Sequence, residues 1–129
     1  MSTVPVEFGR IQRKRGDTIR INVNDVLDAA GSAVALADYT LRAVLKYKTD
    51  TAATDASAIS TITGGAGITV SSTNDAALVF PASDTDDITG PCMIDWELQA
   101  TKTATPTVDR DTLAYGEIEI IRDRVRTAP

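Results

Sequence analysis

Asp95 and Glu97 stand two apart in the stretch Gly90–Ala100. In an extended chain their carboxylates are neighbours on one face, the spacing an acid–base pair would use. That face is read as solvent-open, and Arg42 and Lys46 on the stretch Thr40–Tyr47 offer opposite charges across it. Partnership in cross-strand ion pairs is therefore the expectation for both carboxylates. Asp84, Asp86 and Asp87 resemble part of a calcium loop but lack its glycine and terminal glutamate. Acids there suit the start of a helical turn, with Ser83 as N-cap and the turn running over 83–89. Gly64-Gly65-Ala66-Gly67 lacks the Lys-Ser/Thr of a phosphate loop and is read as a hairpin turn. Cys92 is the single cysteine and falls on an apolar row, which places it in the core. There is no histidine, so the commonest general base and metal ligand are missing. No catalytic, metal or cofactor-binding residue is assigned, and neither a cofactor nor a small-molecule substrate is expected. An enzyme is not expected.

The elements that position these residues read as strands. Cys92, Ile94, Trp96, Leu98 and Ala100 alternate with Met93, Asp95, Glu97 and Gln99, the period of a strand with one buried face. Gly90-Pro91 start that strand cleanly. Thr18–Val23 turns Ile19 and Ile21 inward, and Thr40–Tyr47 does the same with Leu41, Ala43, Leu45 and Tyr47. The Thr40–Tyr47 strand is expected to lie beside the Trp96 strand. Short strands follow at Ala58–Thr63, Ile68–Ser72 and Ala76–Phe80, and Thr112–Arg122 is the last, with Ile118 and Ile120 inward. Gly116 allows a bulge or bend. The core is thus Ile19, Ile21, Leu41, Leu45, Ile94, Trp96, Leu98, Ile118 and Ile120, to which most of the aromatic residues are also assigned.

Between the strands, Asn24–Asp38 is a connection in which Asp25 caps a helical turn ended by Gly31, and Val34 and Leu36 anchor the loop. Lys48–Ser57 reads as a mobile polar loop and Thr101–Asp109 as a polar turn. Residues 1–14 form an arm with an edge strand, 15–122 the domain, and 123–129 a tail. Removing either terminal segment is expected to leave the fold intact. Arg15-Gly16-Asp17 spells the cell-attachment tripeptide, yet glycine and aspartate before a strand are turn residues.

With 129 residues, the chain suits one domain. Aromatic residues are 5% of it, and a core of small and β-branched side chains suits thin packed sheets. The net charge of −5 argues against nucleic acid, whose phosphates need a basic surface. Charge is lopsided: Asp50, Asp55, Asp75, Asp84, Asp86 and Asp87 meet no base between them, while both ends are basic. The longest apolar run, Ala33–Ala37, is far short of a membrane span, and Met1–Arg10 carries no apolar leader. A soluble product made in the cytoplasm, with no membrane partner, is expected.

Several stretches in order carry a family resemblance. They are Arg15-Gly16-Asp17-Thr18, then Gly31–Leu36 into Tyr39-Thr40-Leu41-Arg42-Ala43, then Gly64–Thr69. Gly90 into Ile94-Asp95-Trp96-Glu97-Leu98 and Gly116-Glu117-Ile118-Glu119-Ile120 complete the series. Together they resemble the immunoglobulin-like structural proteins of tailed phages and prophages, as in the N-terminal domain of the baseplate upper protein family. The resemblance implies an antiparallel immunoglobulin-like β-sandwich of about 7–8 strands, and a non-enzymatic virion component of tail, baseplate or neck. Its partners would be other virion structural proteins, in several copies of a symmetric assembly. Baseplate upper proteins continue into helical segments and a region that carries receptor-binding proteins, whereas the given sequence ends at Pro129, so that role is not carried over. Docking is expected through loops, strand edges and the basic residues Arg10, Arg13, Lys14, Arg15, Arg122, Arg124 and Arg126. A capsid decoration protein and a carbohydrate- or host-surface-binding module are the alternatives.

Overall fold

The computed structural model describes residues 5–50, 57–88, 91–103 and 108–121. Its strands are β1 (Val6–Glu7), β2 (Ile11–Lys14), β3 (Ile19–Val23), β4 (Thr40–Tyr47), β5 (Ser60–Gly64), β6 (Gly67–Ser72), β7 (Asp75–Phe80), β8 (Cys92–Thr103) and β9 (Val108–Ile121). A single helical turn, α1 (Ala82–Thr85), follows β7. The class is all-β, as the alternating stretches imply.

The strands form one nine-stranded mixed sheet in the order β1-β9-β8-β4-β5-β6-β7-β3, with β2 also on β9. β8 lies between β4 and β9, antiparallel to both. The expected neighbourhood of the Thr40–Tyr47 and Trp96 strands is therefore present, with Leu45 opposite Trp96. β1 and β2 depart from an all-antiparallel ladder, because both run parallel to β9. The basic stretch read as an arm is thus itself strand β2 on the sheet.

The sheet must curl. β2 and β3 sit at opposite ends of the hydrogen-bonded path, yet residues 15–18 alone connect them. Such a link spans at most roughly 17 Å. The inward residues of β3, β4, β7, β8 and β9 accordingly share one apolar core. All nine core residues named from the sequence are buried in it, with Trp96 2% exposed. Phe8 and Ile11 pack against it from the N-terminal edge.

Gly116 is the glycine on which that edge depends. It pairs with Trp96 across the ladder, and a Cβ there would lie 2.7 Å from the indole nitrogen and 3.2 Å from Phe8 Cβ. The Phe8 ring meets Trp96 edge-on at 5.2 Å between centroids, a favourable aromatic geometry. The bulge expected at Gly116 sits instead at Leu113, which the register skips between Thr112 and Ala114. A bulged extra residue turns Leu113 and Ala114 inward together, and both are buried.

The connections differ from their reading more than the strands do. Asp25 begins no helix: it has φ 57, and its amide donates to Asp75 Oδ1 at 2.8 Å. Asp28 organises the turn instead, its Oδ1 accepting from the Ala30 and Ser32 amides. Val34 and Leu36 are buried anchors as expected. Ser83 is not an N-cap, because Pro81 holds that position and ends β7 in extended geometry. Thr89 lies outside the described residues, so only the first part of the 83–89 turn is compared.

At the glycine cluster, Thr63 and Ala66 exchange backbone hydrogen bonds around Gly64-Gly65. The hairpin goes no further: β6 leaves on a short parallel pairing of Thr63 with Gly67 and Gly64 with Ile68. Gly67 has φ 108, and a Cβ would lie 2.6 Å from the Ile62 side chain, so glycine alone suits this corner. The Arg15-Gly16-Asp17 turn is held from both sides. Asp17 Oδ2 accepts from the Lys14 amide at 2.9 Å, and Thr85 Oγ1 donates to the Asp17 carbonyl at 2.8 Å. Of the expected mobile loop, residues 51–56 lie outside the described residues, as do 104–107 of the polar turn. Residues 101–103 and 108–109 belong to strands rather than to that turn.

Trp96→Ala should lower unfolding free energy by ~3–5 kcal/mol, the usual cost of an aromatic truncated in a core. Gly116→Ala should cost about 1–3 kcal/mol through overpacking against the indole. Deleting residues 1–14 should also lower the urea midpoint, since Phe8 leaves with them. Urea unfolding followed by Trp96 emission checks the last two, and circular dichroism checks the tryptophan variant.

Candidate functional site

The outward side chains of β4, β8 and β9 stand in rows set by the register. Lys46 faces Asp95, and Asp95 faces Glu117. Val44 faces Glu97, Glu97 faces Tyr115, and Tyr115 faces Glu7 of β1. Arg42 faces Gln99, and Gln99 faces Thr112. Lys46 therefore meets Asp95 in register, as the expected charge complementarity requires, while Arg42 stands in register with Gln99. This face holds an open cleft of about 600 Å³, lined in part by Glu7, Lys48, Asp95, Glu97, Tyr115 and Glu117.

Charged groups in the cleft are tied to one another. Lys48 Nζ lies 2.5 Å from Glu117 Oε2 and 3.6 Å from Asp95 Oδ1. Arg10 Nη2 reaches Glu117 Oε1 at 3.4 Å. Glu97 Oε1 accepts from Thr112 Oγ1 at 2.7 Å and from Gln99 Nε2 at 2.9 Å. Tyr115 is 40% exposed and donates its hydroxyl to Glu7 Oε2 at 3.0 Å. Asp95 and Glu97 thus belong to separate hydrogen-bonded groups rather than converging on one point. Tyr115 stands on the outer face, whereas Phe80 and Trp96 lie in the core and Phe8, Tyr39 and Tyr47 pack against it, as expected of most of the aromatic residues.

Electrostatics follow these contacts. The hydrogen bond with Glu117, then the charge of Asp95, raises the Lys48 ammonium above its ordinary range. The same hydrogen bond, joined by Arg10, lowers Glu117 below the usual carboxylate range. The hydrogen bond to Glu7 pushes the Tyr115 phenol up. Partial burial pushes the Cys92 thiol up. Cys92 is half-buried at the edge of the core rather than inside it.

The candidate docking cations are dispersed. Arg10 belongs to the cleft, and Arg13 donates to the Gln12 carbonyl at 2.7 Å. Lys14 and Arg15 flank the turn into β3, while Arg122, Arg124 and Arg126 lie outside the described residues. A second opening, of about 180 Å³, separates β2 from β3. Phe8, Ile11, Ile21 and Trp96 line it, together with Arg13, Arg20 and Asn22. Sequence reading passed over Arg20, whose outward place in an alternating strand gave no sign that β2 would bring Arg13 opposite. It also passed over Lys48, one residue beyond β4, and Glu7.

Among the described residues, no group of carboxylates and thiols is arranged to hold a metal ion, and no helix is long and apolar enough to cross a membrane. No protein-family model matches the chain, and no curated protein is significantly similar to it.

Glu117, held low, contributes stability above its unfolded value of about 4.3 and loses it as pH falls. Lys48, held high, contributes below about 10.4 and loses it as pH rises further. Urea midpoints measured across pH should therefore fall at both extremes, and Lys48→Met should flatten both limbs. Salt at 0.5 M, a figure of the order that screens exposed pairs, should reduce the difference. Cys92 should react with a disulfide reagent more slowly than a free thiol near pH 8, a pH about where cysteine begins to ionise.

Proposed function

We propose that this chain is a non-enzymatic structural component of a phage particle, an assembly domain of tail, baseplate or neck. The observation that carries the reading is a pair of strand edges, on β2 and β3, that no other described strand covers. Among the described residues β3 pairs with β7 alone, and β2 pairs with β9 alone. Open edges present backbone donors and acceptors to other chains, and assemblies of many copies use them. Arg10, Arg13, Lys14 and Arg15 lie on or beside one of these edges, as docking to an acidic partner requires.

Topology supports the immunoglobulin-like part of the reading. The neighbour sets β9-β8-β4 and β3-β7-β6 correspond to the G-F-C and B-E-D strands of such a sandwich. The parallel N-terminal strands then extend the first set at its outer edge.

A carbohydrate-binding module is the second reading, favoured by exposed Tyr115 between Glu7 and Glu97 in the open cleft. An aromatic face flanked by carboxylates can stack on a sugar ring and accept its hydroxyls.

Immunogold labelling of purified particles with an antibody against this chain should mark the tail or its tip. Label spread over the capsid would make it a decoration protein. Intact particles without label, from lysates that contain the protein, would overturn the virion reading. Glycan retention by the purified domain, lost in Tyr115→Ala, would establish the second reading.

A further inference from the structure

The outer cleft divides into two rows that differ in how their acids are answered. In the row Lys46–Asp95–Glu117, Lys48 reaches both carboxylates and Arg10 reaches Glu117 as well. The neighbouring row, Val44–Glu97–Tyr115–Glu7, contains no cation. Its carboxylates are held by neutral donors instead. Glu97 accepts from the Thr112 hydroxyl and the Gln99 amide on Oε1, and Glu7 accepts from the Tyr115 hydroxyl on Oε2. Each keeps one oxygen, Glu97 Oε2 and Glu7 Oε1, with no partner among the described residues.

Acids on an open sheet face are ordinary surface residues. The ring between these two, and the recess around it, set them apart. Tyr115 is the one aromatic residue of the chain classed as exposed, at 40%. The cleft of about 600 Å³ falls in the range of small-ligand sites, roughly 300–1,000 Å³. Hydrogen-bonded strands lie about 4.8 Å apart, so Glu97 and Glu7 stand about 10 Å apart across the ladder with Tyr115 midway. A flat ligand seated on the ring would meet a carboxylate at each rim. Ionised oxygens only accept hydrogen bonds, so the ligand must donate at both rims. Carbon for the aromatic ring and hydroxyls at the rims is the make-up of a sugar ring.

Charge narrows the class further. The lining sets the carboxylates of Glu7, Asp95, Glu97 and Glu117 against the ammonium groups of Lys46 and Lys48. Lys48 is already engaged by Glu117 and Asp95. A sugar carboxylate or phosphate over Tyr115 would face like charge at both rims and no cation in that row, which is repulsive at contact distance.

We propose that the Tyr115 row of the outer cleft is a binding site for uncharged sugars, in which Glu97 and Glu7 accept the ligand's hydroxyls and exclude sugars that carry carboxylate or phosphate. This rests on the carbohydrate reading of the cleft and adds which sugars it admits. Thr112 and Gln99 act as positioning residues: they fix the Glu97 carboxylate through one oxygen and leave the other for the ligand.

The probes are immobilised trisaccharides of glucose, galactose and mannose, each beside the trisaccharide of its uronic acid. Members of a pair differ only at the sixth carbon, where a carboxylate replaces a hydroxymethyl group. At least one neutral member should retain the purified chain, and its uronic acid should do so about tenfold more weakly, a gap that narrows as salt rises. E7Q/E97Q keeps the size of both side chains and removes their charge. It should bring the uronic acid to within about threefold of the neutral sugar, with circular dichroism unchanged. Tyr115→Ala should abolish retention by every member.

Equal or stronger retention by the uronic acids would overturn this inference and leave the carbohydrate reading standing. A gap that E7Q/E97Q leaves untouched would take the exclusion away from these two carboxylates. Retention that survives Tyr115→Ala would place the site outside the cleft, and retention by no sugar of any pair would overturn the inference and the carbohydrate reading together.

Discussion

The contact of Trp96 with Phe8 over the bare backbone of Gly116 is the constraint on which the rest of the domain depends. It joins β8, β9 and the N-terminal edge at one point, with the indole filling space that any side chain on Gly116 would occupy. Trp96 also sits opposite Leu45 of β4, so the same residue fixes the register of three neighbouring strands. A one-residue slip would carry the indole to the solvent face and expose the whole inward row. The first strands consequently behave as part of the sheet rather than as an appendage, because Phe8 is their anchor.

Much of this arrangement was legible in the sequence. Alternation over Ile19–Val23, Leu41–Leu45, Ile94–Ala100 and Ile118–Ile120 reports a physical fact, that one face of each strand is buried, and the burial of these residues follows it. The connections were harder to read, because turn residues fit several conformations. Asp25 has the chemistry of a helix cap, but Asp75 from β7 captures its amide and holds it at positive φ. Ser83 has the same chemistry, yet Pro81 fixes the preceding backbone so that the turn begins earlier. In both cases a partner distant in sequence, or a neighbouring ring, settles what local propensity leaves open.

The candidate site was less legible for a related reason. Asp95, Glu97 and Glu117 were all recognisable as outward residues, but their partners depend on which strand lies beside which. The bulge at Leu113 resets β9 so that Thr112 meets Gln99 and reaches Glu97. Parallel addition of β2 brings Arg10 to Glu117 and Gln12 to Glu119. No periodicity within one strand encodes these encounters. They also explain a contrast across the surface: carboxylates of the outer face are tied into cross-strand groups, while Arg13 and Arg20 border an opening that no acid among the described residues lines.

The parallel pairing of β1 and β2 with β9 has a consequence for the order of folding. β9 leaves the ribosome after the other described strands, yet it lies inside the sheet between β8 and the N-terminal strands. Phe8 and Ile11 have no strand to pair with until residues 108–121 exist. Until then the Trp96 side of the core stays open to water, and the N-terminal segment can find no lasting register. Contacts of such sequence separation make folding slow, on the order of milliseconds to seconds for sheet proteins. Completion of this sheet is therefore a late event that joins β1 and β2 to β9. A nascent chain halted before β9 would expose the apolar flank that the finished protein hides.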